Sequence, residues 1–178
     1  MSELVDKIVA LHEHLDAHRL PHAFGGALAL AWCTQRARGT IDIDVNVFIS
    51  GEQVDALLAA LPDGVQHEAS DRAALLADGQ TRLWWGRTPV DVFLNTTPFH
   101  EAAAGRARVE RFADHDVPFL ACRDVAVFKA FFDRSKDWVD LEEMHAAGTL
   151  DAEAVMGVLA MYLGGDDHRV HRLRELVG

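Results

Sequence analysis

The run from Ile41 to Ile49 constrains this chain more than any other. It alternates apolar and polar residues, which predicts a β-strand with Ile41, Ile43, Val45, Val47 and Ile49 on one face and Asp42, Asp44 and Asn46 on the other. A strand that buries one face gains nothing in packing from two carboxylates side by side on the other. They repel, and each raises the other's pKa, unless a cation lies between them. Hard divalent cations with oxygen ligands are the usual partner of such a pair.

The residues upstream predict a second half of the same site. Pro21–Phe24 reads as a short strand that breaks at Gly25-Gly26 and runs into the apolar helical pattern Ala27 to Cys33. A flexible turn opening onto a helix N-terminus suits a phosphate group. Downstream, Gln80–Trp85 and Val90–Asn95 read as two strands of a hairpin around a four-residue loop, Gly86-Arg87-Thr88-Pro89. Asp91 alternates into the second of these. Paired beside the acidic strand it supplies a third carboxylate; at a sheet edge it would instead be a charge that blocks pairing with other chains.

The spacing Gly25-Gly26, fifteen residues, then Asp42-x-Asp44, with Arg38 and Thr40 just ahead of the first Asp and Val90-Asp91-Val92-Phe93 later, resembles the nucleotidyltransferase superfamily related to DNA polymerase β. Within it the chain is most similar to the AbiEii-type toxin and MenT-like branch. The block Lys129 to Leu141 resembles that branch's second signature, a lysine followed by a Lys-Asp-x-x-Asp segment, here Lys136-Asp137 and Asp140. The family motif commonly has Gly-Ser where this chain has Gly25-Gly26.

The resemblance, covering about residues 24–141, implies an α/β fold: a mixed sheet flanked by helices over residues 1–120, and a helical C-terminal subregion over residues 121–178. It implies transfer of a nucleoside monophosphate from an NTP to an acceptor that is tRNA, protein or a small molecule, and a role in toxin–antitoxin systems or phage defence. Asp42, Asp44 and Asp91 would hold Mg2+ or Mn2+ and, with Lys129, form the catalytic set. Gly25, Gly26, Arg38, Thr40, Lys129, Asp137 and Asp140 would meet the nucleotide. The alternative is an inactive nucleotide-binding or interaction module of the same fold. A receiver-type phosphoacceptor domain fits poorly, because such domains begin with a strand and carry their lysine on one.

Composition narrows the partners. A hydrophobic content of 49% over 178 residues is ample for a core. A formal charge of −11 argues against a broad nucleic-acid interface, so RNA would have to be met by a small basic patch. The resemblance to the toxin branch implies an antitoxin, or a second copy of the chain, as protein partner. The N-terminus lacks a signal-type pattern and no run of 18 apolar residues follows, so no membrane partner is expected. Cys33 and Cys122, far apart and without CxxC spacing, read as unpaired buried thiols of a cytoplasmic protein. His12, His14, His18 and His22 read as solvated surface side chains. Lys129, Asp133, Asp137 and Asp140 read as successive positions along one helical face.

Overall fold

A computed structural model describes residues 3–37 and 39–178 of the chain. Leu11, Leu15 and Ile8 form the buried stripe of the first helix, α1 (Glu3–Ala17), as the sequence spacing requires. Then follow β1 (His22–Phe24), α2 (Gly26–Thr34) and β2 (Ile43–Val47). A 3-10 turn at Gly51–Gln53 leads into α3 (Val54–Ala60), and Ser50 makes no side-chain cap there, unlike the capping box its sequence suggests. After β3 (Val65–Gln66), the Asp71 carboxylate accepts from the Glu68 backbone N–H at 2.8 Å where α4 (Ala69–Asp78) starts. β4 (Gln80–Trp85), β5 (Thr88–Leu94), α5 (Pro98–Ala104), β6 (Arg108–Phe112) and β7 (His115–Phe119) complete the α/β part. The rest is helical: α6 (Cys122–Phe132), α7 (Ser135–Ala146), α8 (Ala152–Leu163) and α9 (His168–Val177).

The described residues divide into two compact units. The first is residues 1–28 with 39–120; the second is residues 29–38 with 121–178. In the first, seven strands form one mixed sheet in the order β3-β4-β5-β2-β1-β7-β6. β2 lies near its centre, parallel to β5 and antiparallel to β1. Ile43, Val45 and Val47 of β2 are buried together with Val90, Val92 and Leu94 of β5, which makes that face of the sheet the core. By the period of two, Asp44 and Asp91 occupy the other face.

Three sequence expectations are corrected here. The strand is shorter than its alternation: Ile41 is 79% exposed and Asp42 precedes β2, because pairing with β5 begins only at Ile43 and Thr40 draws the backbone N–H of Asp42 into a local turn. The hairpin loop has two residues, since Trp85 pairs directly with Thr88, and Gly86 takes the positive φ of 61° that so tight a loop needs. His22 is buried rather than solvated: its Nε2 meets His12 Nδ1 at 2.9 Å and its Nδ1 lies 2.8 Å from the Leu20 carbonyl.

In the second unit, α6 packs against α7 and α8, and α8 against α9. Cys33 and Cys122 are joined in a disulfide, so they are not free thiols; sequence separation gave no sign that α2 and α6 bring them together. Among the described residues no helix is long and apolar enough to cross a membrane.

Candidate active site

The acidic residues are placed by strand register. Asp44 on β2 stands directly beside Asp91 on parallel β5, and Asp91 in turn stands opposite Arg82 on antiparallel β4. Three neighbouring strands therefore put Arg82, Asp91 and Asp44 in one row on one face. Because β5 is an interior strand, Asp91 is not an edge charge. Its side chain is 17% exposed and accepts a bidentate pair from Arg82, Nε to Oδ1 at 2.7 Å and Nη2 to Oδ2 at 2.7 Å. The hydrogen bonds to Asp91 raise the Arg82 pKa above its ordinary value, and the charges of Asp42 and Asp44 add to that. Arg82 thus lies in the field of all three carboxylates.

Asp42 is held from its N-terminal side: Thr40 Oγ1 donates to Asp42 Oδ1 at 2.5 Å. Thr40, an expected nucleotide contact, is thus bound to a carboxylate. Gly25 donates its N–H to the Asp44 carbonyl at 2.9 Å, so the amides left to receive a phosphate are those of the first turn of α2. Gly26 begins that helix at φ 53°, and a Cβ added there would lie 2.0 Å from Asp44 Oδ2. The glycine lets the backbone come down onto the carboxylate. Arg38, the remaining expected nucleotide contact of this region, falls outside the described residues.

Lys129, Asp137 and Asp140 come together in the second unit, though not as successive positions on one helix. Asp133 takes a left-handed conformation (φ 55°) that ends α6, and α7 then turns back. Lys129 Nζ reaches across to Asp140 Oδ2 at 2.6 Å and Asp137 Oδ1 at 3.6 Å. Asp137 is fully buried and also pairs with Arg134 at 2.6 Å. Asp133 accepts from Trp138 Nε1 at 2.7 Å and pairs with His168 at 2.6 Å.

The donor set on the sheet suits a hard divalent cation in kind: carboxylates on adjacent strands, on the face opposite the apolar core. It is not assembled as a cage. Both Asp91 oxygens are engaged by Arg82, and among the described residues no group of three or more His, Cys, Asp or Glu side chains is gathered as a metal-binding set. Arg82 is the functional candidate that the sequence reading missed. With the loop taken as four residues, Trp84 stands opposite Asp91 and Arg82 opposite Phe93; the true two-residue loop shifts the register by two and brings arginine to carboxylate.

The architecture is a nucleotidyltransferase-type mixed α/β fold. Solved structures of that class resemble it along nearly all of the chain. The crystal structure of ANT(2'')-Ia in complex with adenylyl-2''-tobramycin is similar with a TM-score of 0.62 at 18% identity, over 99% of this chain and 100% of that one. An antigenic nucleotidyltransferase-like protein from Paracoccidioides brasiliensis is similar with a TM-score of 0.60 at 13% identity, over 98% and 92%. The lincosamide antibiotic adenylyltransferase LnuA, lincomycin-bound, is similar with a TM-score of 0.54 at 11% identity, over 83% and 98%. At these identities the likeness is one of fold. No family model matches the chain, and no curated protein matches it in sequence.

Proposed function

We propose that this chain is a nucleotidyltransferase that moves a nucleoside monophosphate from an NTP to a hydroxyl group of a small acceptor. The observation that carries the reading is the register of β2 and β5, which sets Asp44 beside Asp91 on the face opposite the core with Asp42 just ahead on the chain. The similar structures support it, one bound to an adenylylated antibiotic and one to lincomycin. The charge of −11 favours a small acceptor over RNA, whose phosphates it would repel.

In the reaction implied, the free amides at the start of α2 bind phosphate oxygens of the NTP, where the helix dipole favours negative charge. The acceptor oxygen attacks the α-phosphorus, the bond to the β-phosphate oxygen breaks, and pyrophosphate leaves with that electron pair. Asp91 takes the proton of the acceptor hydroxyl. Thr40 holds the Asp42 carboxylate through its hydroxyl. Lys129, in the second unit, has its ammonium held by Asp140 and Asp137. Mg2+ or Mn2+ bound by Asp42, Asp44 and Asp91 would supply charge neutralisation along the triphosphate.

A second reading, a nucleotide-binding module without turnover, is favoured by one observation: Arg82 engages both oxygens of Asp91. Pyrophosphate release separates the two. The purified chain, supplied with Mg2+ or Mn2+, each of the four NTPs in turn and a panel of hydroxyl compounds, should release pyrophosphate, and Asp42→Asn or Asp44→Asn should reduce release by about 100-fold or more. Nucleotide binding with no release for any NTP supports the module; full release by both variants refutes the assignment of the carboxylates.

A further inference from the structure

The Arg82–Asp91 pair has a place that packing does not require. Arg82 lies on the face of the sheet opposite the core with its side chain 51% exposed, while Asp91 beneath it is 17% exposed. The Arg72–Asp55 pair, by contrast, joins two exposed side chains. Arg82 differs in that it sits on the one carboxylate that register places beside Asp44, and it feels Asp42 and Asp44 as well.

We propose that Arg82 is a positioning residue that stands in for a cation at Asp91, so that a divalent ion and Arg82 compete for the same carboxylate. The inference rests on the nucleotidyltransferase reading for its meaning in catalysis, but its physical content is a statement about ion binding. A bidentate guanidinium occupies both Asp91 oxygens and places a positive charge within hydrogen-bond distance of them. An ion approaching Asp44 and Asp91 therefore meets repulsion and a donor set short of one ligand. The same fork matches phosphate oxygens as well as carboxylate oxygens. Its half-exposed side chain can turn to an incoming phosphate, and the exchange leaves the charge at the site balanced: arginine moves from carboxylate to phosphate as the cation takes its place.

The test is a titration of the nucleotide-free protein with Mn2+ alone, followed by paramagnetic resonance of the free ion. Arg82→Gln should bind Mn2+ at least about tenfold more tightly than wild type, because a unit charge removed from within ~5 Å of a divalent ion is worth more than a factor of ten even at the dielectric of water. Arg82→Lys keeps the charge and should stay within about threefold of wild type. Asp91→Asn should erase the gain, so that the double variant Arg82→Gln/Asp91→Asn matches Asp91→Asn alone. Equal or weaker Mn2+ binding by Arg82→Gln overturns the proposal, as does a gain that survives Asp91→Asn. Pyrophosphate release keeps the two readings apart. A wild type that turns over NTP while Arg82→Gln leaves Mn2+ affinity unchanged removes only the competition. A tenfold gain in a protein that never releases pyrophosphate confirms the competition and removes the transferase.

Discussion

Replacing Gly26 tests the packing of the phosphate turn against the acidic strand. An alanine there must adopt φ 53°, a left-handed conformation that costs an L-residue about 1–2 kcal/mol. Its Cβ would also lie 2.0 Å from Asp44 Oδ2, 2.6 Å from Cγ and 3.1 Å from Cβ. A shift of the carboxylate tip alone leaves the inner contacts in place, so the whole Asp44 side chain has to leave its rotamer, at about 0.5–1.5 kcal/mol. The backbone has little room to retreat, since Gly25 is hydrogen-bonded to the Asp44 carbonyl. The sum is about 1.5–3.5 kcal/mol, a fall in Tm of roughly 3–14 °C for a chain of this size. Calorimetry on Gly26→Ala, with Gly157→Ala as control, measures it: the control sits in α8 with open space around the added Cβ and should be neutral or slightly stabilising. Gly26→Ser carries the same Cβ and should behave like Gly26→Ala. Both variants should lose pyrophosphate release, because Asp44 is displaced. A Gly26→Ala protein with wild-type Tm and full turnover would refute the close approach of the turn to Asp44.

Lys129→Ala should cost about 3 kcal/mol or more in denaturant unfolding, because it removes a buried cation, its side chain only 10% exposed, from beside Asp140 and Asp137; a loss below about 1 kcal/mol would mean that the remaining partners of the two carboxylates suffice. Burial lowers the pKa of both His12 and His22 in the folded chain, and the neighbouring His12 acts in the same direction on His22. Stability should therefore be intact above the ordinary histidine pKa of about 6.5 and fall as pH drops below it, where the unfolded chain takes up protons that the folded one refuses. His22→Gln should flatten Tm against pH between about 7 and 5, and an unchanged slope would acquit the pair. Reducing the Cys33–Cys122 disulfide frees a loop with a sequence separation of 89, worth about 4–5 kcal/mol on loop entropy, so dithiothreitol should lower Tm and Cys33→Ser should make the protein indifferent to it.

How much the sequence disclosed depends on whether the signal was local. The alternation of β2, the glycine turn before α2 and the acidic residue in β5 are each written in a few consecutive residues, and each places a side chain on its face. Arg82 is hidden by the turn: a four-residue loop that includes Thr88 and Pro89 misplaces the partner of Asp91, whereas both residues lie within β5. The disulfide and the His12–His22 contact join segments by packing between elements, for which no local pattern exists. Asp133 shows the opposite failure. Helical spacing was carried through a residue that ends the helix in a left-handed conformation, one that aspartate tolerates better than most residues.

The parallel pairing of β2 with β5 has a consequence for mutational robustness. Asp44 and Asp91 share their strands with Val45 and Val92, which lie on the opposite face, fully inside the core. A slip of one residue in either strand would turn valines outward and drive a carboxylate into the apolar layer. Correct alignment of the carboxylates is therefore enforced by the same interaction that makes the chain fold. Errors in it are removed as unfolded protein and do not accumulate as folded protein with a misaligned centre. Substitutions on this face that spare the register are free to retune the chemistry, which leaves Arg82 and its neighbours on β4 as the positions where such a chain can change what it does at little risk to what it is.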